Sequence, residues 1–288
     1  MSELVSDWKA TMKTSPNRCN ICGAMSKMTD DHVPPQCWNN SKRKYYSQGF
    51  GLYDPPKKKE HCFPHITGNG IKFRTICEKC NTTVLGPKDK ALSEFIKQIE
   101  TYIKRQGNIS SIFNCTIYAN SVAKAIVGHM LAAKEYYDES TNIDNVLRSY
   151  VLDEAALPPS EMQLLYFYYP YKSIVIERDV VLPQVHYKDE RYKKPVGIIS
   201  CLFSYPLAVI LSNKHENLQL HDLFAYGRSH PSTKTDVVFN LNTRFYPGTK
   251  QPRDPLWPIN ISDEKDGSSF MLSGKAAQRL IIGIDGQE

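Results

Sequence analysis

Apolar residues recur at helical spacing in two stretches of the chain and alternate with polar ones, or run together, in several others. Within 89–106, Leu92, Phe95, Ile96, Ile99 and Ile103 share one helix face; within 121–137, Val122, Ala125, Ile126, His129 and Ala133 do the same. The segment IKFRTI at 71–76 alternates and predicts a strand, followed by a short helix over 78–84 that stops at Gly86-Pro87. From Met162 onward come short β-rich runs, LLYFYY, SIVIE, GIISCLF, LAVIL and DVVFNL, separated by prolines and charges. The aromatic run from Tyr166 to Tyr171 reads as a buried strand. Residues 1–14 read as a short helix or arm. Residues 36–70 show neither period and predict a long polar loop, entered after Pro34 and Pro35 end any regular element. No internal repeat is present. The pattern is that of an α+β protein.

Length and composition narrow this picture. At 288 residues the chain suits about two domains of roughly 100–200 residues each. Hydrophobic residues at 41% and charged residues at 23% supply a full core, which argues against disorder and coiled coil. No apolar run approaches the roughly 20 residues needed to span a bilayer, and the first residues carry acids without an apolar segment, unlike a secretory signal. The expectation is a cytoplasmic protein that does not engage membranes. The net charge of +6 is unevenly placed: residues 1–109 carry 18 Lys/Arg against 10 Asp/Glu, and the remainder is net negative by 2. The basic part is therefore the one suited to a polyanion. Two basic runs lie in its loop, Lys42-Arg43-Lys44 and Lys57-Lys58-Lys59, interleaved with Trp38, Tyr45, Tyr46, Phe50 and Tyr53. These lysines and arginine are candidate phosphate contacts, and the aromatics suit either base stacking or core packing.

Four of the eight cysteines form two Cys-x-x-Cys pairs, Cys19/Cys22 and Cys77/Cys80. In a reducing compartment such pairs point to metal rather than disulfide. Four thiolates close a tetrahedral zinc sphere, which makes the expected zinc structural. The 54 intervening residues exceed those of a compact zinc ribbon. The excess is affordable: tripling such a loop costs roughly 1 kcal/mol more to close, and structural zinc supplies on the order of 10 kcal/mol. Of the other cysteines, Cys115 and Cys201 lie in apolar segments, as does His129, and all three read as core. His61, Cys62 and His65 form a small cluster that is either a second metal site or an ordinary loop.

Three pieces of sequence occur in a telling order: CNIC at 19–22, DHVPP at 31–35, and CEKCN at 77–81. Together they resemble the zinc-containing HNH, or ββα-metal, endonucleases, including the phage junction-resolving endonuclease VII group. The resemblance spans roughly residues 15–105. It implies His32 as general base and Asp31 and Asn81 as ligands of one Mg²⁺ or Mn²⁺, hard ions that favour oxygen. Asp30 is the alternative to Asp31. Neighbouring strand residues point to opposite faces, so Asp31 and His32 serve one site only if the strand ends or bends there. The family's middle asparagine, which steadies the base, has three candidates in Asn39, Asn40 and Asn69. Hydrolysis would leave 5′-phosphate and 3′-hydroxyl ends, with DNA as the substrate through the resemblance and RNA not excluded.

The expected protein is thus a zinc-stapled HNH nuclease domain over 1–109 followed by a second α+β domain over 110–288. The second domain would sense, recruit, bind a protein partner or form a homo-oligomer. By analogy, such a pairing suits a bacterial antiphage effector. The competing expectation is a zinc-dependent nucleic-acid- or partner-binding protein without catalysis.

Overall fold

A computed structural model describes residues 17–41, 44–48, 65–67, 69–105, 110–134, 137, 139, 142–170, 174–178, 198–214, 220–241, 270–273 and 278–283. The arm at 1–14, Lys42, Arg43, Lys57, Lys58, Lys59, His61 and Cys62 lie outside these residues, as do the side chains of Lys44 and His65. Mixed α+β architecture holds throughout.

The first unit is a pair of strands followed by a helix. Strand β1 (Met28–His32) pairs antiparallel with β4 (Lys72–Cys77), and the chain turns helical at Glu78. A π-helical segment, Cys80–Leu85, then runs directly into α1 (Gly86–Ile103). The expected stop at Gly86-Pro87 is therefore absent. Pro87 stands in the first turn of α1, directly behind the π-helical segment, and the helix passes through it. Residues 36–70 are also less bare than their composition suggests. They include β2 (Lys44–Gln48) and β3 (His65–Thr67), which pair with each other. Strand β2 pairs on its other side with β13 (Gln278–Gly283), a partner more than 200 residues away that local periodicity does not reveal.

The remaining strands fall largely where the β-rich runs lie: β6 (Met162–Tyr168), β7 (Val175–Arg178), β8 (Ile198–Ser204), β9 (Leu207–Asn213) and β11 (Thr235–Asn240). With β10 (His221–Asp222) and β12 (Phe270–Ser273) a nine-stranded sheet forms in the order β10-β6-β9-β8-β7-β12-β13-β2-β3. Only its β7–β12 pairing is parallel among the described strands. Strand β11 instead pairs with β5 (Ile112–Ile117), which the reading of periodicity missed. Helix α2 (Ala119–Ala132) matches the second expected helix, while α3 (Asn142–Leu152) and the short α4 (Leu223–Ser229) were not expected.

The expected division at 109/110 runs through a core that is continuous on both sides. One hydrophobic cluster extends from Cys19 and Ile21 through Phe95 and Ile126 to Phe239. Phe95 of α1 meets Tyr166 of β6 and Phe239 of β11 edge-on, with ring centroids 6.2 and 6.1 Å away. Trp38 is fully buried, and its indole N–H donates to the carbonyls of Ser204 (2.8 Å) and Leu207 (3.1 Å). Of the two roles open to that tryptophan, core packing holds. Cys115, Cys201 and Tyr166 are buried as expected.

Polar contacts also join the two halves, at the end of α2. The last carbonyls of a helix have no partner within it. Asn20 donates to the carbonyls of Leu131 (3.4 Å) and Lys134 (2.8 Å), and the Thr75 hydroxyl donates to that of Ala132. Arg148 of α3 in turn donates to the Asn20 carbonyl at 2.9 Å. The first cysteine knuckle is thus seated on the C-terminal end of α2.

Candidate metal centre and the adjoining histidines

The two cysteine pairs, remote in sequence, converge where β1 and β4 meet the helical turn. Cys19 and Cys22 belong to a tight turn whose Gly23 N–H donates to the Cys19 carbonyl at 2.8 Å. Gly23 has φ +71°, and a side chain there would press into the Tyr137 ring, so glycine suits the turn. Cys77 ends β4 and Cys80 opens the π-helical segment.

All four Sγ atoms lie within 4.8 Å of one another, and those of Cys22 and Cys77 are 3.8 Å apart. Tetrahedral zinc with bonds of about 2.3 Å spaces its sulfurs by roughly 3.8 Å. The backbone N–H groups of Cys22 (3.5 Å) and Cys77 (3.4 Å) both aim at the Cys19 sulfur. A bond from the Cys80 thiol is the main reason the Cys19 thiol sits at about 4, with burial opposing. The same shared bond, with burial, pushes Cys80 far up. Four soft donors converge here, at least one of them favoured as a thiolate. These cysteines could hold a metal ion such as zinc.

His32 closes β1, and its ring is partly exposed. Nε2 lies 3.0 Å from the Asn69 carbonyl and 3.1 Å from the Gln36 side-chain amide. The Asn69 carbonyl only accepts and the Gln36 amide nitrogen only donates, so the two ask opposite things of Nε2. A proton on Nε2 serves the fixed carbonyl and leaves the neutral ring's lone pair on Nδ1, with the Gln36 amide turned to present its oxygen. Burial lowers the His32 pKa below its ordinary 6.5, against a raising contribution from the Asn69 carbonyl. Of the three asparagines open for the steadying role, Asn69 meets His32, through its backbone. Asn40 works one step behind. Its amide donates to the carbonyls of Pro34 (2.7 Å) and Ile71 (3.0 Å) and accepts from the Ile71 N–H (2.8 Å), clasping both ends of the 41–70 excursion. Gly70 lets the two segments come this close: its φ is +69°, and a Cβ there would lie 2.0 Å from the Asn40 carbonyl oxygen. Asn39 shows only a positive φ of 56°.

Asn81 sits in the first turn after the second knuckle, with its amide N–H₂ donating to Thr29 Oγ1 and the Asp30 carbonyl, each at 3.2 Å. The helix is thereby tied back to the strand bearing Asp31 and His32. Asn81 Oδ1 accepts no hydrogen bond among the described residues.

Asp30 and Asp31 part company. The β1–β4 register slips between Thr29 and Asp31, and burial alternates beyond it: Asp30 out, Asp31 in, His32 half out. Asp30 pairs with Arg74 at 3.1 Å in solvent. Asp31 is 4% exposed, and its Oδ2 lies 3.1 Å from Nδ1 of His129 on α2. The other nitrogen of that ring, Nε2, lies 2.9 Å from Oδ1 of Asp89 on α1. His129 is core by burial, as expected, but its two ring nitrogens face two carboxylates. Complete burial lowers its pKa, yet Asp31 and then Asp89 overcome that and raise it to about 10. Its apolar neighbours Ala125, Ile126 and Ala133 hid this role in the sequence.

No family model, curated protein or solved structure matches this chain. No helix among the described residues is long and apolar enough to cross a membrane.

Proposed function

We propose that the chain is a metal-dependent endonuclease of the HNH type, hydrolysing phosphodiester bonds of DNA, with zinc on Cys19, Cys22, Cys77 and Cys80 as its structural staple. The observation that carries this reading is the convergence around β1. The strand ends on a histidine with a free Nδ1, and Asn81, almost 50 residues on, is hydrogen-bonded to that strand beside the four cysteines. A partner-binding zinc module would need the cysteines but neither His32 nor Asn81.

In this reading Asp31 and Asn81 hold one Mg²⁺ or Mn²⁺ through their Oδ1 atoms. The ion, when bound, supplies positive charge to the scissile phosphate and the departing 3′ oxygen. His32 Nδ1 takes a proton from the attacking water as its oxygen bonds phosphorus and the 3′ oxygen leaves. The Asn69 carbonyl keeps the ring in the tautomer that leaves Nδ1 free. A base with its pKa held below 6.5 is ready, unprotonated, at neutral pH.

A plasmid-nicking assay with Mg²⁺, Mn²⁺ or EDTA tests the proposal. Wild type should cut with either ion and stop with EDTA. His32→Ala should lose about 10²–10⁴ in rate while keeping its zinc. Wild-type cleavage should fall as pH drops through a value under 6.5, where His32 gains its second proton. Undiminished cutting by pure His32→Ala protein would defeat the mechanism, and a wild type that binds DNA without cutting would favour the binding module.

A further inference from the structure

Asp31 is an unusual candidate for a metal ligand because it is buried and already hydrogen-bonded. Its neighbour Asp30 shows the cheaper arrangement, a solvated carboxylate paired with arginine. Asp31 and His129 are buried and Asp89 is 28% exposed; burying such an ion pair often costs more than packing apolar side chains of the same volume, so stability alone does not explain the three contacts. Their geometry suggests a second purpose. His129 is 0% exposed and comes from α2, 98 residues beyond Asp31. Both ring nitrogens face carboxylate oxygens, which only accept when ionised, so both donate. Nδ1 engages Oδ2 alone, and no described residue donates to Asp31 Oδ1. One oxygen is clamped and the other is left for a ligand.

We infer that His129 is a positioning residue that fixes the Asp31 carboxylate for a divalent cation, with Asp89 holding the ring from behind. The inference rests on the reading of Asp31 as a metal ligand. It makes the part of the chain beyond residue 110 a contributor to the metal site. It also accounts for a histidine within the apolar face of α2, where leucine would pack at lower cost. Partners of this kind, hydrogen-bonded to a ligand rather than to the metal, typically change metal affinity by about 10–100-fold.

The test uses the full chain with its zinc, Mn²⁺ alone as the probe, and free Mn²⁺ measured by electron paramagnetic resonance. Two substitutions divide the histidine's contacts. His129→Asn keeps a donor near the Nδ1 position, facing Asp31; His129→Gln keeps one near Nε2, facing Asp89. Positioning through Asp31 expects His129→Gln to bind Mn²⁺ about 10–100-fold more weakly, with His129→Asn near wild type. A merely structural histidine expects both variants to lower the melting temperature with no difference between them in Mn²⁺ affinity, and that result overturns the inference. Should both variants unfold, Asp89→Asn keeps the question open to decision, since it deletes no buried donor. Weaker Mn²⁺ binding by Asp89→Asn is then expected, and unchanged binding overturns the inference. Asp31→Asn separates the two levels. If wild type and Asp31→Asn bind Mn²⁺ alike, the ligand reading itself falls; if Asp31→Asn alone loses Mn²⁺, Asp31 stands and only the role of His129 falls.

Discussion

Two polar clusters lie against strand β1, built on opposite principles. The four cysteines come as two local pairs, one in a tight turn and one at the junction of β4 with the helix, and only these two units must meet. The chain Asp31–His129–Asp89 takes one residue from each of three elements, β1, α2 and α1, and has no local unit at all. The cysteines would gain their strength from a cation that replaces protons. The carboxylates and imidazole gain theirs from a charge the core encloses. A metal knuckle therefore survives as a sequence signature, whereas an ion chain is written nowhere until helices pack.

The largest expected effect separates the clusters outright. Cys77→Ser should remove the metal and with it the β1–β4 unit, since structural zinc contributes on the order of 10 kcal/mol to such small folds. Metal analysis and circular dichroism would check this, and stoichiometric zinc in a variant lacking all four cysteines would break the assignment.

The ion chain should answer to pH instead. The folded pKa of His129, about 10, lies above its ordinary 6.5. Its stabilising contribution is therefore fully present below about pH 6.5 and is lost as pH rises through about 10. Urea unfolding of wild type and His129→Asn at about pH 7 and about pH 9.5 should show the gap between them narrowing at the higher pH. A constant gap would mean that the buried ring carries no charge. The smallest effect concerns the seat that both clusters share. Asn20→Ala should cost about 1–3 kcal/mol by removing the buried amide that donates to the Leu131 and Lys134 carbonyls, with zinc content unchanged. Loss of zinc in that variant would show that α2 also holds the knuckle in shape.

What could be read in advance follows from how far each signal reaches along the chain. Helix α1 declared itself through Leu92, Phe95, Ile96 and Ile99, all buried on one face. Strands β6 and β9 declared themselves as apolar runs because both are buried almost end to end. Strand β5 did not, since its apolar Ile112 lies on the exposed face and blurs the alternation in the sequence, and its pairing with β11 spans some 120 residues. The loop strands β2 and β3 failed for the same reason, with β13 as the distant partner. Pro87 misled because a proline that usually ends a helix sits here where the π-helical segment hands over to α1 and the helix continues.

The site divides along the same line. Sequence alone pointed to the four cysteines that could hold a metal ion and to their convergence, because thiol chemistry and paired spacing admit few other uses. It also brought Asp31, His32 and Asn81 forward as one group. Only the tertiary structure decided which asparagine meets His32, since the contact is a backbone carbonyl and any residue at 69 has one. It alone gave Asp30 to solvent and Asp31 to the core, because a slipped register between two strands sets which face each carboxylate takes. And it turned a histidine on an apolar helix face into the link between two carboxylates, because buried charge is defined by neighbours that chain order does not name.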